Sequence, residues 1–179
     1  MTEDHAATAP TPVRLPAYTQ TDLAEILGAG PDPFEVAGTG LTWLPKEEHF
    51  GIRARDGRLI AHAGLRRLPI SVGGSATEVV GVGGVAVAAD VRGRGLARSV
   101  VEAALAHART MGPRHALLFC RPPLVALYRR LGFQALDGDV RVEQPEDRVV
   151  TMPLHTMVRP LHEDAAWPAG PVRLRSLPM

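Results

Sequence analysis

The sequence predicts an α/β domain, and three observations carry that expectation. Apolar, β-type runs separated by two-residue Gly-bearing turns fill residues 51–89; a helical pattern with one apolar face runs from Leu96 to Met111; a short buried-type strand and a second helix follow. With 179 residues the chain is long enough for a single domain with a full mixed core.

The elements are expected in this order. Residues 1–16 read as a flexible tail. Thr21 caps a short helix, Asp22 to Leu27, closed by Gly28, and residues 29–46 read as a loop or broken helix rich in Gly and Pro. Gly51 to Arg55, the turn Asp56-Gly57 and Arg58 to Leu65 form a hairpin; Leu68 to Val72, Gly73-Gly74 and Ala76 to Ala89 form a second. Gly81, Gly83 and Gly84 interrupt the last of these strands, a mark of a bulge or of close approach by another backbone or a ligand. In the helix that follows, Leu96, Val100, Ala104 and Ala108 share one face, Arg98 and Glu102 can pair on the other, and Gly112-Pro113 stops it. His115 to Cys120 reads as a buried strand. Pro122 or Pro123 starts a helix through Tyr128 to Leu131, ended by Gly132. Phe133 to Glu143 and Arg148 to Val158 read as two strands. The chain thus divides into the tail, a domain over residues 17–160 and a proline-rich C-terminal segment over 161–179 lying along the surface.

Composition narrows the partners. The formal net charge is +1, so no global field draws the chain to nucleic acid or an anionic membrane. Lys46 is the sole lysine among 20 basic residues, which we read as a coding bias toward arginine. Cys120 is the sole cysteine, so no intramolecular disulfide forms. Neither a secretory signal nor an apolar run near the ~20 residues of a membrane span is found, and a soluble cytoplasmic protein is expected. His155 and His162 have no helical metal-ligand spacing, and no metal site is expected. Cys120 in a buried strand reads as a small apolar filler.

The most informative stretch is Arg92-Gly93-Arg94-Gly95-Leu96-Ala97. It joins a β-type run to a helix. Glycines let a backbone approach an anion closely, the first amides of a helix have no internal partners, and arginine adds charge where phosphate oxygens lie. Strand, basic glycine loop and helix together make a seat for a pyrophosphate. A dinucleotide fingerprint would need glycine where Arg98 stands, and the Gly-Lys-Ser/Thr of a phosphate-binding loop is absent. Arg121, Arg129 and Arg130 lack the aromatic interleaving of a nucleic-acid surface.

Arg92, Gly95 and Ala97 match the Arg/Gln-x-x-Gly-x-Gly/Ala signature of the GNAT acyl-CoA-dependent N-acyltransferases, and Leu127-Tyr128-Arg129-Arg130-Leu131-Gly132-Phe133 matches a downstream segment of that family. The chain resembles that superfamily over roughly Val82 to Phe133. The resemblance implies a mixed, mostly antiparallel sheet of six to seven strands with helices on both faces, and two central strands, near Val85 and Leu118, that run parallel and splay into a cofactor cleft. It implies acetyl-CoA as co-substrate, a small-molecule amine as acceptor and, as in many relatives, a possible homodimer. Val85, Ala86 and Val87 would meet the pantetheine arm like an added strand, the amide of Val85 would polarise the thioester, and the amides of Gly93 to Ala97 would hold the pyrophosphate. Tyr128 would donate a proton to the leaving sulfur.

Ile60-Ala61-His62-Ala63, Val85-Ala86-Val87 and Leu127-Tyr128 are similar to aminoglycoside 2'-N-acetyltransferases, while Leu65-Arg66-Arg67 and Trp167-Pro168-Ala169-Gly170 are similar to nodulation-type N-acyltransferases. This narrower resemblance implies an amino-sugar acceptor, with Asp32 and Glu35 as its carboxylates, and an antibiotic-resistance role. The glutamates those enzymes carry fall here at Gly83 and Gly81. No base is assigned: Glu78 lies several residues away, and His62 on an apolar strand reads as a structural histidine. A binding or regulatory module, another amine acceptor and a longer acyl chain are alternative readings.

Overall fold

The computed structural model describes residues 9–28, 34 and 36–179. These residues build β1 (Val13–Leu15), α1 (Gln20–Leu27), β2 (Glu48–Arg53), β3 (Leu59–Val72), β4 (Ser75–Val87), α2 (Leu96–Ala108), β5 (His115–Cys120), α3 (Val125–Arg130), β6 (Gln134–Ala135), β7 (Val140–Gln144), β8 (Arg148–Thr151), β9 (His155–Pro160) and β10 (Val172–Leu174). The expected α/β class is observed, as one mixed sheet of ten strands in the order β6-β9-β5-β4-β3-β10-β7-β8, with β2 and β1 joined to β3. The count exceeds the six to seven expected because several strands have only two or three residues.

The two expected hairpins share one strand. β3 runs unbroken for 14 residues. It pairs with β4 along one edge, while its other edge takes β2 against Leu59 to Leu65 and β10 against Ile70 to Val72. Odd-numbered Ala61, Ala63 and Leu65 face α2, whose Val100, Val101, Ala104, Leu105 and Ala108 are fully buried. His62, Leu68 and Ile70 face the opposite side, which α1, the segment 41–47 and the C-terminal residues cover. Helices therefore lie on both faces. Arg98 and Glu102 pair across one turn of α2 at 2.8 Å.

Several boundaries differ from expectation. Val13–Leu15, read as tail, is a strand against β2, because Leu15 buries its side chain with Ile26 and Leu59. α1 is capped by Thr19 rather than Thr21: the Thr19 side chain accepts from the Asp22 amide, and the Asp22 carboxylate accepts from the Thr19 amide. The expected strand over Phe133 to Glu143 breaks at the turn around Gly138 (φ 87°), and the one over Arg148 to Val158 breaks before His155, so the pieces join opposite ends of the sheet.

The largest correction concerns the C-terminal segment. Residues 162–171 lie at the surface as expected, but the end of the segment does not: β10 inserts between β3 and β7, antiparallel to one and parallel to the other, and Met179 is buried. Apolar Val172 and Leu174 point inward around exposed Arg173, a strand alternation too short to read between prolines.

Candidate active site

β4 and β5 run parallel but pair only at Val80–Ala116 and Gly81–Leu117. Beyond these pairs β4 continues to Val87 and β5 to Cys120 without partnering each other, so two central strands part and leave a cleft. β4 is bulged at this point. His62 pairs with Ala86 and Gly64 with Gly83, so Ala63 alone opposes both Gly84 and Val85. Gly84 takes φ 60°, a conformation that favours glycine.

A cleft of about 580 Å³ opens along the parted edge. Val85, Ala86 and Val87 form its strand wall, and Arg92, Gly93, Gly95, Leu96 and Ala97 form its end at the start of α2. Arg94, expected among the coenzyme contacts, is exposed and does not line the cleft. Gly93 (φ 79°) and Gly95 (φ 76°) are both left-handed, and Gly95 caps the helix without any side-chain hydrogen bond to its amides. The 13-residue α2 thus presents free N–H groups to the cleft, with open space where a Cβ on Gly93 or Gly95 would stand. Arg98, Arg121 and Arg130 add cationic charge around it.

A second, smaller cavity of about 140 Å³ adjoins the first, and both are lined by Val85, Arg121, Leu124 and Tyr128. Tyr128 stands at their junction on α3, buried, its ring edge-on to Phe133. Burial, with some help from the neighbouring Cys120, raises its pKa well above the usual phenol value and keeps the hydroxyl protonated. Cys120 also faces the small cavity; burial pushes its thiol up to about 11, so it is no nucleophile at neutral pH, and its Sγ lies 3.7 Å from Met157 Sδ.

The walls of the small cavity include Trp43, Lys46, Gly83, Gly84, Phe119 and Met179. No described side chain lining it is a carboxylate. Asp32 and Glu35, expected to meet a cationic acceptor, lie outside the described residues. The indole Nε1 of Trp43 is buried without a hydrogen-bond partner. Lys46 forms no ion pair among the described residues, and burial lowers its pKa from the ordinary lysine value. The segment that carries Trp43 and Lys46 is tied down on all sides: Gln144 bonds both the amide (2.8 Å) and the carbonyl (3.2 Å) of Thr42, the Leu44 amide donates to the Pro178 carbonyl at 2.6 Å, and the Glu47 amide donates to the Leu65 carbonyl at 2.9 Å.

The side chain of Lys46 runs over three glycines. A Cβ on Gly64 would stand 2.4 Å from Lys46 Cγ, one on Gly83 3.1 Å from Lys46 Cε, and one on Gly84 3.4 Å from the same carbon. Met179 closes the other side, 3.0 Å from the Cβ position of Gly83 and 2.7 Å, through its Sδ, from that of Gly81. The glycines thus mark close approach, as expected, but the approaching groups include a lysine and a methionine from distant segments. Sequence reading missed Lys46; its signal was that one lysine survives where every other basic residue is arginine.

His62 is structural and fully satisfied. Its ring stacks on Tyr18, with centroids 3.8 Å apart, and its two nitrogens contact the Gly84 carbonyl and His49 Nδ1. Burial pushes its pKa down to about 4, so it is neutral at physiological pH. Glu78 is exposed on β4 and paired with Arg67. Among the described residues no group of His, Cys, Asp and Glu side chains could hold a metal ion, and no helix is long and apolar enough to cross a membrane.

A family model of the GNAT acetyltransferase domain matches residues 41–136, the stretch that carries the parted strands, the glycine loop and Tyr128. The chain belongs to the GNAT acetyltransferases. Solved GNAT structures agree in fold. A GNAT family N-acetyltransferase from Escherichia coli, in complex with CoA, superposes with a TM-score of 0.62 at 22% identity, covering 96% of this chain and 93% of that one. The ribosomal-protein-S18-alanine N-acetyltransferase of E. coli gives 0.52 at 18% identity, covering 88% and 100%. A GNAT acetyltransferase from Brucella melitensis, in complex with acetyl-CoA, gives 0.51 at 18% identity, covering 92% and 96%. No curated protein sequence matches the chain.

Proposed function

We propose that this GNAT acetyltransferase moves acetyl from acetyl-CoA to the amine of a small molecule, with the large cleft holding the coenzyme and the small cavity holding the acceptor. The observation that carries the reading is the junction of the two cavities at Val85 and Tyr128. The residues present fit the coenzyme. Free amides at the start of α2 and the arginines beside them suit a pyrophosphate, and the unpartnered edge of β4 suits an extended pantetheine arm.

Bound acetyl-CoA supplies an activated thioester carbonyl; everything else comes from the chain. Main-chain groups of Val85 and Val87 position the arm by strand addition, and the Val85 amide is placed to donate to the carbonyl oxygen as it gains charge. The protonated phenol of Tyr128 is the donor for the departing sulfur. Val85 and Ala86 on the strand side and Leu124 before α3 give the large cleft apolar walls.

An amino-sugar acceptor, an aminoglycoside among them, is the second reading, favoured by the likeness of residues 60–63, 85–87 and 127–128 to enzymes of that specificity. The described lining of the small cavity, with the four aromatic rings of Phe34, Trp43, Phe119 and Tyr128 beside Lys46, favours a less cationic amine with an apolar body. Mass spectrometry of an amine library incubated with acetyl-CoA and the protein tests both. An acetylated product names the acceptor; an acetylated aminoglycoside selects the second reading. Coenzyme binding by calorimetry without thiol release from any amine would replace the enzyme by a binding module.

A further inference from the structure

We propose that Lys46 is the proton acceptor for the incoming amine, its stem held in a track of three glycines so that its end reaches the bulge beside Val85. The inference rests on the acetyl-transfer reading. Gly64 lies under Cβ and Cγ of the lysine, and Gly83 and Gly84 lie against Cε. A side chain on Gly64 would displace it, one on Gly83 would crowd its end, and Gly84 lies in ordinary contact with it. The Thr42, Leu44 and Glu47 backbone bonds fix the segment from which it projects, and Arg66 adds a bond to the Pro45 carbonyl at 3.0 Å. A merely solvated lysine needs none of this.

The choice of residue points the same way. Arginine supplies charge at every other basic position, yet arginine cannot lose its proton in a protein. A lysine whose charge is desolvated can, and burial here lowers the pKa. Among the described residues no carboxylate side chain faces it to restore the charged form; the main-chain oxygen of Met179 comes 3.5 Å from the Cβ position of Gly83, beside Lys46 Cε. His62 and His49 are both held toward neutrality by burial, Arg121 is cationic, and Cys120 and Tyr128 remain protonated.

The proton account closes. Neutral Lys46 takes a proton from the acceptor's ammonium group, giving a neutral amine. The nitrogen lone pair forms the new C–N bond, and the C–S bond breaks with its electron pair on sulfur. Sulfur takes the Tyr128 proton, and the phenolate recovers one from the nitrogen of the nascent amide. Lys46 then releases its proton to solvent. The sum is amide, free thiol and one proton.

The lone lysine makes the test direct. Protein labelled with ¹⁵N-lysine gives a single side-chain signal, to be titrated with coenzyme A bound. Titration well below the ordinary lysine range is expected; titration at the ordinary value of about 10.4 overturns the proposal. Turnover is then measured for Lys46→Arg and Lys46→Met, with coenzyme affinity followed by calorimetry as a control for folding. Both variants should lose about 100-fold or more in kcat with an alkylamine acceptor while still binding coenzyme A. The loss should shrink to less than about tenfold with an arylamine that is already neutral at the assay pH, a distinction that a purely structural role would not produce. Activity retained in Lys46→Arg but lost in Lys46→Met would mean that the residue binds an anionic group instead, and the proposal falls. If the wild-type protein releases no thiol with any amine, the acetyl-transfer reading fails, and the titration reports on Lys46 independently.

Discussion

His62 Nδ1 lies 2.8 Å from the carbonyl oxygen of Gly84, on the bulge of β4 that precedes Val85. A carbonyl only accepts, so Nδ1 carries the hydrogen, and Nε2 is left to accept from His49 Nδ1 at 3.0 Å. A ring on the neighbouring strand thereby sets the orientation of the peptide next to the cavity junction. A second proton on His62 would make Nε2 a donor and oblige His49 Nδ1 to give up its own hydrogen.

That arrangement predicts an acid-sensitive stability. His62 titrates near 4 when folded and near 6.5 when unfolded. Between those values the unfolded chain binds more protons, so stability rises with pH. The contribution is complete above about pH 6.5 and gone below about pH 4, and its full size is of the order of 3 kcal/mol. Urea midpoints measured at pH 7 and pH 5 should differ, and the difference should largely vanish in His62→Gln. That variant should also be less stable at pH 7 by about 1–3 kcal/mol.

Tyr128→Phe keeps the ring packed on Phe133 and removes only the hydroxyl. We expect kcat to fall about tenfold or more at saturating acetyl-CoA, with coenzyme affinity unchanged by calorimetry. An unchanged kcat would take Tyr128 out of the chemistry.

Gly93→Ala and Gly95→Ala force a side chain onto left-handed backbone at φ 79° and φ 76°. Open space around both means that the cost is conformational, of the order of 1–2 kcal/mol. Because the shifted amides meet the pyrophosphate less well, coenzyme affinity should drop about tenfold, and the melting temperature of the free protein should fall by about 2–8 °C.

Gly64→Ala drives a methyl into Lys46 Cγ, 2.4 Å away. Destabilisation of about 1–3 kcal/mol is expected from the crowding. Turnover should fall as well, because the lysine leaves its track, whereas coenzyme binding in the other cavity should persist.

The proposed coenzyme half of the site was legible because it is local. A turn that needs left-handed glycines, cationic side chains and a helix start all lie within Arg92 to Ala97, and Tyr128 sits in a short segment with its own signature. The proposed acceptor half was not, because the small cavity is assembled from residues far apart in sequence: Trp43, Lys46, Gly83, Phe119 and Met179 meet only through sheet topology. The glycines at 81, 83 and 84 announced an approach without naming the visitor. β10 escaped notice because three residues between prolines carry too little alternation to outweigh a loop reading, and its place is set by the vacant half of the β3 edge. The same length limit hid β1.

The separation of β4 from β5 past Gly81 and Leu117 puts a raw margin of main chain in the interior of the sheet instead of at its rim. Rim strands are commonly guarded by charge, proline or brevity; this one has to stay bare to dock an extended guest. Kept empty at high concentration, the molecule is therefore exposed to zippering with any stray extended peptide, its own copies included, and saturation of the cleft should suppress such clumping while raising thermal resistance by mass action.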